Sequence, residues 1–136
     1  HKGTARMFEC TKTITPEIFE RQCEIISQHV PEKWRFGRMF TSSISNFNIA
    51  ADFHIDAANI PHCVNVIIAK KMNAEGGHTT VPDYEATVNS CDDSMLVYPA
   101  WKNVHGVSPI KVMSPGGYRN SLVFYPLKAF LANQPK

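Results

Sequence analysis

From about Met39 the sequence breaks into short β-rich segments separated by turn residues, and no helical period interrupts them before the tail. Strands are expected over residues 49–55, 63–69, 78–81, 85–89, 95–98, 104–107, 110–113 and 121–125. Breaks are expected at 59–61, 73–77, 82–83, 91–94, at Pro99 and at 114–117, where Gly, Pro, Asn, Asp and Ser gather. About eight short strands at this spacing suit a sandwich or a small barrel, and a jelly roll is the member that best leaves a pocket at its mouth. Periodicity does not choose among these. The expected body is mainly β and covers residues 39–126.

One helix precedes it, over residues 16–29. Thr15 is placed to cap it and Pro16 suits its first turn, where a missing N–H costs nothing. Ile18, Phe19, Cys23, Ile26 and Val30 recur at three- and four-residue steps, which gives one apolar stripe to lay against a sheet. Pro31 ends the run, because the residue before a proline is pushed out of the helical region.

With 136 residues, the chain is the size of one domain, 1–136, with one core. Hydrophobic residues at 43% and charged residues at 19% give no sign of disorder, and the apolar runs at 66–69 and 95–98 are far too short to span a bilayer. Residues 4–12 contain polar and charged residues throughout, without the basic-then-apolar plan of a secretory signal. Cys10, Cys23, Cys63 and Cys91 have neither C-x-x-C nor zinc spacing, so free thiols in a reducing, cytoplasmic setting are expected. A net charge of +2 permits a polyanionic partner without arguing for one.

Three features follow in order along the expected strands: His54-Ile55-Asp56, His105-Gly106-Val107 and Arg119-Asn120-Ser121. Residues two apart on a strand point the same way, so His54 and Asp56 can present an imidazole and a carboxylate to one ion. His105, from a strand distant in sequence, adds a second imidazole. Two nitrogens and one oxygen on one face of a metal leave positions open for a chelating co-substrate and dioxygen, the requirement of non-haem iron(II) oxygenases. Arg119 and Ser121 share a strand face by the same rule. A guanidinium pairs with a carboxylate through two parallel hydrogen bonds and a neighbouring hydroxyl adds a third, which suits the distal carboxylate of 2-oxoglutarate.

Over residues 53–125 the sequence resembles the double-stranded β-helix dioxygenases, in particular their TET/JBP-like branch, and within it a compact phage-like or bacterial member. The residues that carry the resemblance are His54-Ile55-Asp56-Ala57-Ala58-Asn59, Gly76-Gly77 with Val81-Pro82-Asp83-Tyr84, Val104-His105-Gly106-Val107-Ser108-Pro109, and Arg119-Asn120-Ser121. The resemblance implies a jelly roll in which His54, Asp56 and His105 bind Fe(II) while Arg119, with Ser121, binds 2-oxoglutarate. It implies hydroxylation of the 5-methyl group of a pyrimidine base, 5-methylcytosine in DNA, with dioxygen consumed. It further implies that Asn59, third after the aspartate, hydrogen-bonds the target base; the alternative is that Asn59 shapes the turn before Pro61. The chain departs from the larger members of that branch in lacking cysteine-rich zinc regions and any long basic insertion.

Two alternatives stand beside this. The same chemistry on a prolyl residue, a free amino acid or another small molecule fits the near-neutral charge. A β-barrel that binds a ligand without turnover is the alternative of another class. His62 and His78 are weaker ligand candidates. Trp101, Tyr84 and Tyr98 are candidates to stack a base, and Lys33, Trp34, Arg35 and Arg38 form a basic-aromatic cluster whose simpler role is a solvated face.

Overall fold

A computed structural model describes residues 2–132. Among these residues the chain forms two α-helices and ten β-strands: α1 (Lys2–Ile14), α2 (Pro16–His29), β1 (Ser42–Phe47), β2 (Ala51–His54), β3 (Asn65–Met72), β4 (Ala74–Gly76), β5 (Thr79–Val81), β6 (Ala86–Val88), β7 (Ser94–Tyr98), β8 (His105–Val107), β9 (Ile110–Val112) and β10 (Tyr118–Tyr125). The strands make two four-stranded antiparallel sheets, ordered β1-β10-β3-β7 and β2-β8-β5-β6, with β4 and β9 paired separately. The molecule is therefore mainly β, in the manner of a sandwich.

The number of helices corrects the expectation of one. α1 runs to within one residue of α2, and its threonines, poor helix formers, hid it. It turns Met7 and Thr11, four residues apart, into the core, and the buried Thr11 hydroxyl donates to the Met7 carbonyl at 2.9 Å. The Thr15 hydroxyl also donates backwards, to the Thr11 carbonyl at 3.0 Å, so it does not cap α2.

α2 buries Phe19, Gln22 and Ile26, with Ile18 and Cys23 at the margin of its apolar stripe. Gln22 is fully buried. Its amide nitrogen donates to the carbonyls of Met39 (2.9 Å) and Val64 (3.1 Å), and its oxygen accepts from the Val64 N–H at 2.8 Å. One side chain thus fastens the helix to the chain entering β1 and to the residue before β3.

The main core lies between the helices and the first sheet and gathers Met7, Phe19, Met39, Phe40, Val66 and Phe124. β3 is covered on both faces, Val66 and Ile68 toward the helices and Ile67 toward Tyr98 and Ala100, which is why it reads as a nearly continuous apolar run. β10 alternates across the same sheet. Phe124 faces the helices, while Arg119, Ser121 and Val123 face a cavity of about 620 Å³ lined by residues of both four-stranded sheets.

Two strands lay outside the expected set. β1 pairs only with β10 and carries Ser42, Ser43 and Ser45, too polar to announce a strand. β4 falls in the stretch read as a break. Asn73, Gly76 and Gly77 do take left-handed backbone there, with φ of 45°, 78° and 70°, but the short segment they bound pairs with β9. Conversely the stretch from 49 is strand only from Ala51 to His54.

No helix among the described residues is long and apolar enough to cross a membrane.

Candidate metal and anion site

His54 and His105 are partners across the β2–β8 ladder. Ala51 stands opposite Val107, yet His54 rather than Phe53 stands opposite His105, because β2 slips by one residue between these pairs. A bulge of this kind turns the following side chain to the other face of the strand. It is this slip that aims both imidazoles at one point. Gly106 accommodates the bulged strand: a Cβ there would lie 3.0 Å from the Phe53 ring and 3.1 Å from the Ala51 carbonyl oxygen.

Asp56 does not share a strand with His54, a correction to the two-residue rule applied there. β2 ends at His54 and Asp56 opens a turn, its N–H donating to the Ala100 carbonyl (3.0 Å) and its carbonyl accepting from the Asn59 N–H (3.0 Å). The tail crosses this turn, with Ile60 N–H donating to the Pro126 carbonyl and Lys128 N–H to the Ala58 carbonyl, each at 2.9 Å. The carboxylate is brought to the histidines all the same. Asp56 Oδ1 is 3.2 Å from His54 Nε2 and 3.7 Å from His105 Nε2. The three ligand atoms lie within 4.8 Å of one another.

Each imidazole has its Nδ1 against a backbone carbonyl two residues upstream, His54 on Asp52 at 2.7 Å and His105 on Asn103 at 2.9 Å. A carbonyl only accepts, so Nδ1 carries the proton in both rings and a neutral ring turns its Nε2 lone pair inward. Two imidazole nitrogens and a carboxylate oxygen thus converge on one point, a donor set that could hold a metal ion. Ligands at about 2.1 Å from a metal and at right angles sit about 3 Å apart, near the 3.2 Å between Asp56 and His54 and shorter than the 3.7 Å between Asp56 and His105. His105 is buried, Asp56 half-buried and His54 exposed, so the group opens to solvent on one side.

The Asn103 carbonyl that orients His105 is itself anchored. The Asn103 amide nitrogen donates to Asp83 Oδ2 at 2.9 Å and its oxygen accepts from the Tyr84 hydroxyl at 3.4 Å. The Val81-Pro82-Asp83-Tyr84 stretch therefore bears on the His-Asp-His group through Asn103.

Arg119 is 1% exposed, and its Nε and one terminal nitrogen have no partner. Burial without a counter-ion pulls its pKa below the ordinary arginine value. Nearby on the cavity wall the buried Thr79 hydroxyl is likewise unpartnered. Asn48 fixes the Arg119 main chain from both sides: its Oδ1 accepts from the Arg119 N–H (2.8 Å) and its N–H donates to the Arg119 carbonyl (2.9 Å). Gly77 gives the side chain its passage, since a Cβ there would lie 2.9 Å from Arg119 Cδ and Nε. Ser121 is buried on the same face of β10 as Arg119, as the alternation required.

Asn59 lines the cavity, but its amide nitrogen donates to Asn65 Oδ1 at 2.8 Å. His62 and His78 do not join the metal group. His62 packs on Trp101 with ring centroids 4.9 Å apart, and His78 Nδ1 accepts from the Ser90 N–H at 3.3 Å. Of the aromatic candidates, Tyr98 is on the cavity wall, edge-on to His105 at 5.0 Å, while Tyr84 is exposed. Burial, with the Asp56 charge added, pushes the Tyr98 phenol well above its ordinary pKa. In the basic cluster Trp34 lies on Phe130 with Lys33 over its ring, Arg35 donates to the Val30 and Ser27 carbonyls, and Arg38 lies over Phe19. Asn65 and Thr79 were not singled out from sequence. The signal for Asn65 was an amide on the face of β3 that Ile67 and Ala69 continue.

The sequence matches no family model and no curated protein. Among solved structures the chain is similar to NgTET1 in complex with 5mC DNA, with a TM-score of 0.68 at 15% sequence identity. The superposition covers 97% of this chain and 48% of that one, so the chain spans about half the length of this neighbour. At that identity the likeness is one of fold, and the chain shares the architecture of a protein solved on 5mC DNA.

Proposed function

We propose that the chain is an iron(II)- and 2-oxoglutarate-dependent dioxygenase on a double-stranded β-helix, with His54, Asp56 and His105 as metal ligands and Arg119, aided by Ser121, as the anchor for the co-substrate. One observation carries it: two imidazole Nε2 atoms and a carboxylate oxygen converge on the wall of the same cavity as a buried arginine whose Nε and one terminal nitrogen have no partner. The first group suits a cation and the second an anion, and both border the same cavity. Two imidazoles and one carboxylate suit a non-haem iron(II) that keeps positions open. A buried, unpaired guanidinium suits one end of a dicarboxylate.

Bound together, the metal, 2-oxoglutarate and dioxygen supply oxidative decarboxylation to succinate and carbon dioxide, with the second oxygen atom placed in a substrate C–H bond. The chain contributes position and exclusion of water. The Asp52 and Asn103 carbonyls accept from Nδ1 of the two rings and so turn both Nε2 atoms inward. Arg119 holds the co-substrate's far carboxylate, and its own main chain is fixed by Asn48. Ile67, Tyr98 and Val107 give the cavity apolar walls.

For the substrate we infer the 5-methyl group of 5-methylcytosine in DNA, supported by the shared fold with a protein solved on 5mC DNA and by Asn59 on the cavity wall. The same chemistry on an uncharged small molecule has one observation in its favour. Arg119 is the one lysine or arginine among the described cavity residues, and Ile44, Ile49 and Ile55 stand exposed on its wall.

Nucleoside mass spectrometry after incubating 5-methylcytosine DNA with protein, iron(II), ascorbate and 2-oxoglutarate tests the assignment. Gain of one oxygen on 5-methylcytosine, absent with Asp56→Ala, is expected. Succinate formation without that gain would move the substrate elsewhere, and no 2-oxoglutarate consumption with any substrate would refute the oxygenase.

A further inference from the structure

Asp56 has two carboxylate oxygens, and only one of them faces the histidines. Oδ1 lies against both Nε2 atoms, while Oδ2 accepts a hydrogen bond from the Asn65 amide nitrogen at 3.0 Å. Asn65 is 1% exposed at the start of β3, and its own oxygen accepts from the Asn59 amide nitrogen at 2.8 Å. The polarity of this chain is set by its end. An ionised carboxylate only accepts, so Asn65 must turn its NH₂ toward Asp56 and its oxygen toward Asn59, which must answer with its NH₂.

We propose that Asn59 and Asn65 form an amide relay that selects Asp56 Oδ1 as the single oxygen offered to the metal, with Asn65 as a positioning residue. This rests on the metal site assigned above. A carboxylate free to rotate can bind an ion through both oxygens and take up a position that a chelating co-substrate needs. Tying Oδ2 to a buried amide prevents this, and keeping that amide in its required orientation is the work of Asn59. The relay gives Asn59 a task at the metal: it joins the cavity wall to Asp56 through two hydrogen bonds.

Cobalt(II) takes the same donors as iron(II), and its visible absorption reports coordination number and geometry. Titrating the full chain with cobalt(II) compares wild type, Asn65→Leu, Asn59→Ala and Asp56→Ala, with near-ultraviolet circular dichroism as the check on folding. Asn65→Leu keeps the branched side-chain shape and removes both hydrogen bonds, whereas Asn59→Ala leaves Asn65 in place but free to turn over. Both are expected to weaken cobalt binding by about 10–100-fold, the usual effect of losing a residue that orients a ligand, and to change the absorption spectrum. If Asn65→Leu does not fold, Asn59→Ala carries the test alone. Wild-type affinity and spectrum in either folded variant would overturn the relay, as would a lower melting temperature with an unaltered spectrum. A wild-type chain that binds cobalt no better than Asp56→Ala would overturn the metal site itself, a different failure.

Discussion

Gly77 lies against Arg119, and replacing it with alanine separates two effects that a glycine substitution usually confounds. The first is backbone strain. At φ +70° an L residue is disfavoured by about 1–2 kcal/mol, which lowers the melting temperature of a domain this size by about 4–8 °C. The second is steric. The new Cβ would sit 2.9 Å from Arg119 Cδ and Nε and 3.0 Å from Cγ, short of ordinary contact by about 0.5 Å. The guanidinium must move by that order, enough to break one charge-assisted hydrogen bond of about 1.5–3 kcal/mol to a bound carboxylate, or roughly 10–150-fold in the Kd for 2-oxoglutarate. Gly116 is the control, with φ +81° and nothing within 4 Å of its Cβ position. Gly116→Ala should lower the melting temperature similarly and leave the Kd alone. Thermal melts and calorimetric titration with 2-oxoglutarate in the presence of manganese(II) read both effects. Equal co-substrate affinity in the two variants would refute the placement of Arg119 at the anion subsite.

Arg119→Leu removes the buried charge and should weaken 2-oxoglutarate by about 2–5 kcal/mol, measured by the same titration; an unchanged Kd would take Arg119 out of the site. Gln22→Ala leaves the Val64 N–H and two carbonyls buried without partners, so urea unfolding should show a loss of about 2–4 kcal/mol with the denaturant slope unchanged. Burial raises the Cys63 thiol from 9.0 to about 11, against a smaller opposing pull from Arg21. Folding therefore favours the neutral thiol; this contribution is intact below pH 9 and is lost as pH rises through about 11. At pH 8 iodoacetamide should label exposed Cys91 well before buried Cys63, and mass spectrometry of the labelled peptides decides it.

Much of the frame was legible because strand chemistry is local. Eight expected strands fall on observed ones, and the two-residue alternation that put Arg119 with Ser121 describes β10 as it stands. What escaped depended on partners rather than on the segment itself. β1 is a serine-rich edge strand that exists by pairing with β10. α1 holds Thr11 and Thr13 by back-bonding their hydroxyls to carbonyls one turn earlier, a compensation invisible in a propensity sum. At the site, the nearness of His54 and Asp56 followed from sequence, but the reason for it did not. One residue of slip aims His54, and a turn fixed by Ala100 and Asn59 aims Asp56. Asn65 escaped because its importance lies in an oxygen of another residue, nine positions earlier.

The most direct test of the account is anaerobic visible absorption of the protein with iron(II) and 2-oxoglutarate, which needs no knowledge of the substrate. Chelation of the metal by the keto acid gives a charge-transfer band only if the two meet at one site. The account predicts a band that saturates at one iron and one 2-oxoglutarate per chain, vanishes in Asp56→Ala and needs far more co-substrate in Arg119→Leu. Absence of the band in the wild-type chain, or its persistence in Asp56→Ala, would contradict the assignment of His54, Asp56 and His105 as the metal centre.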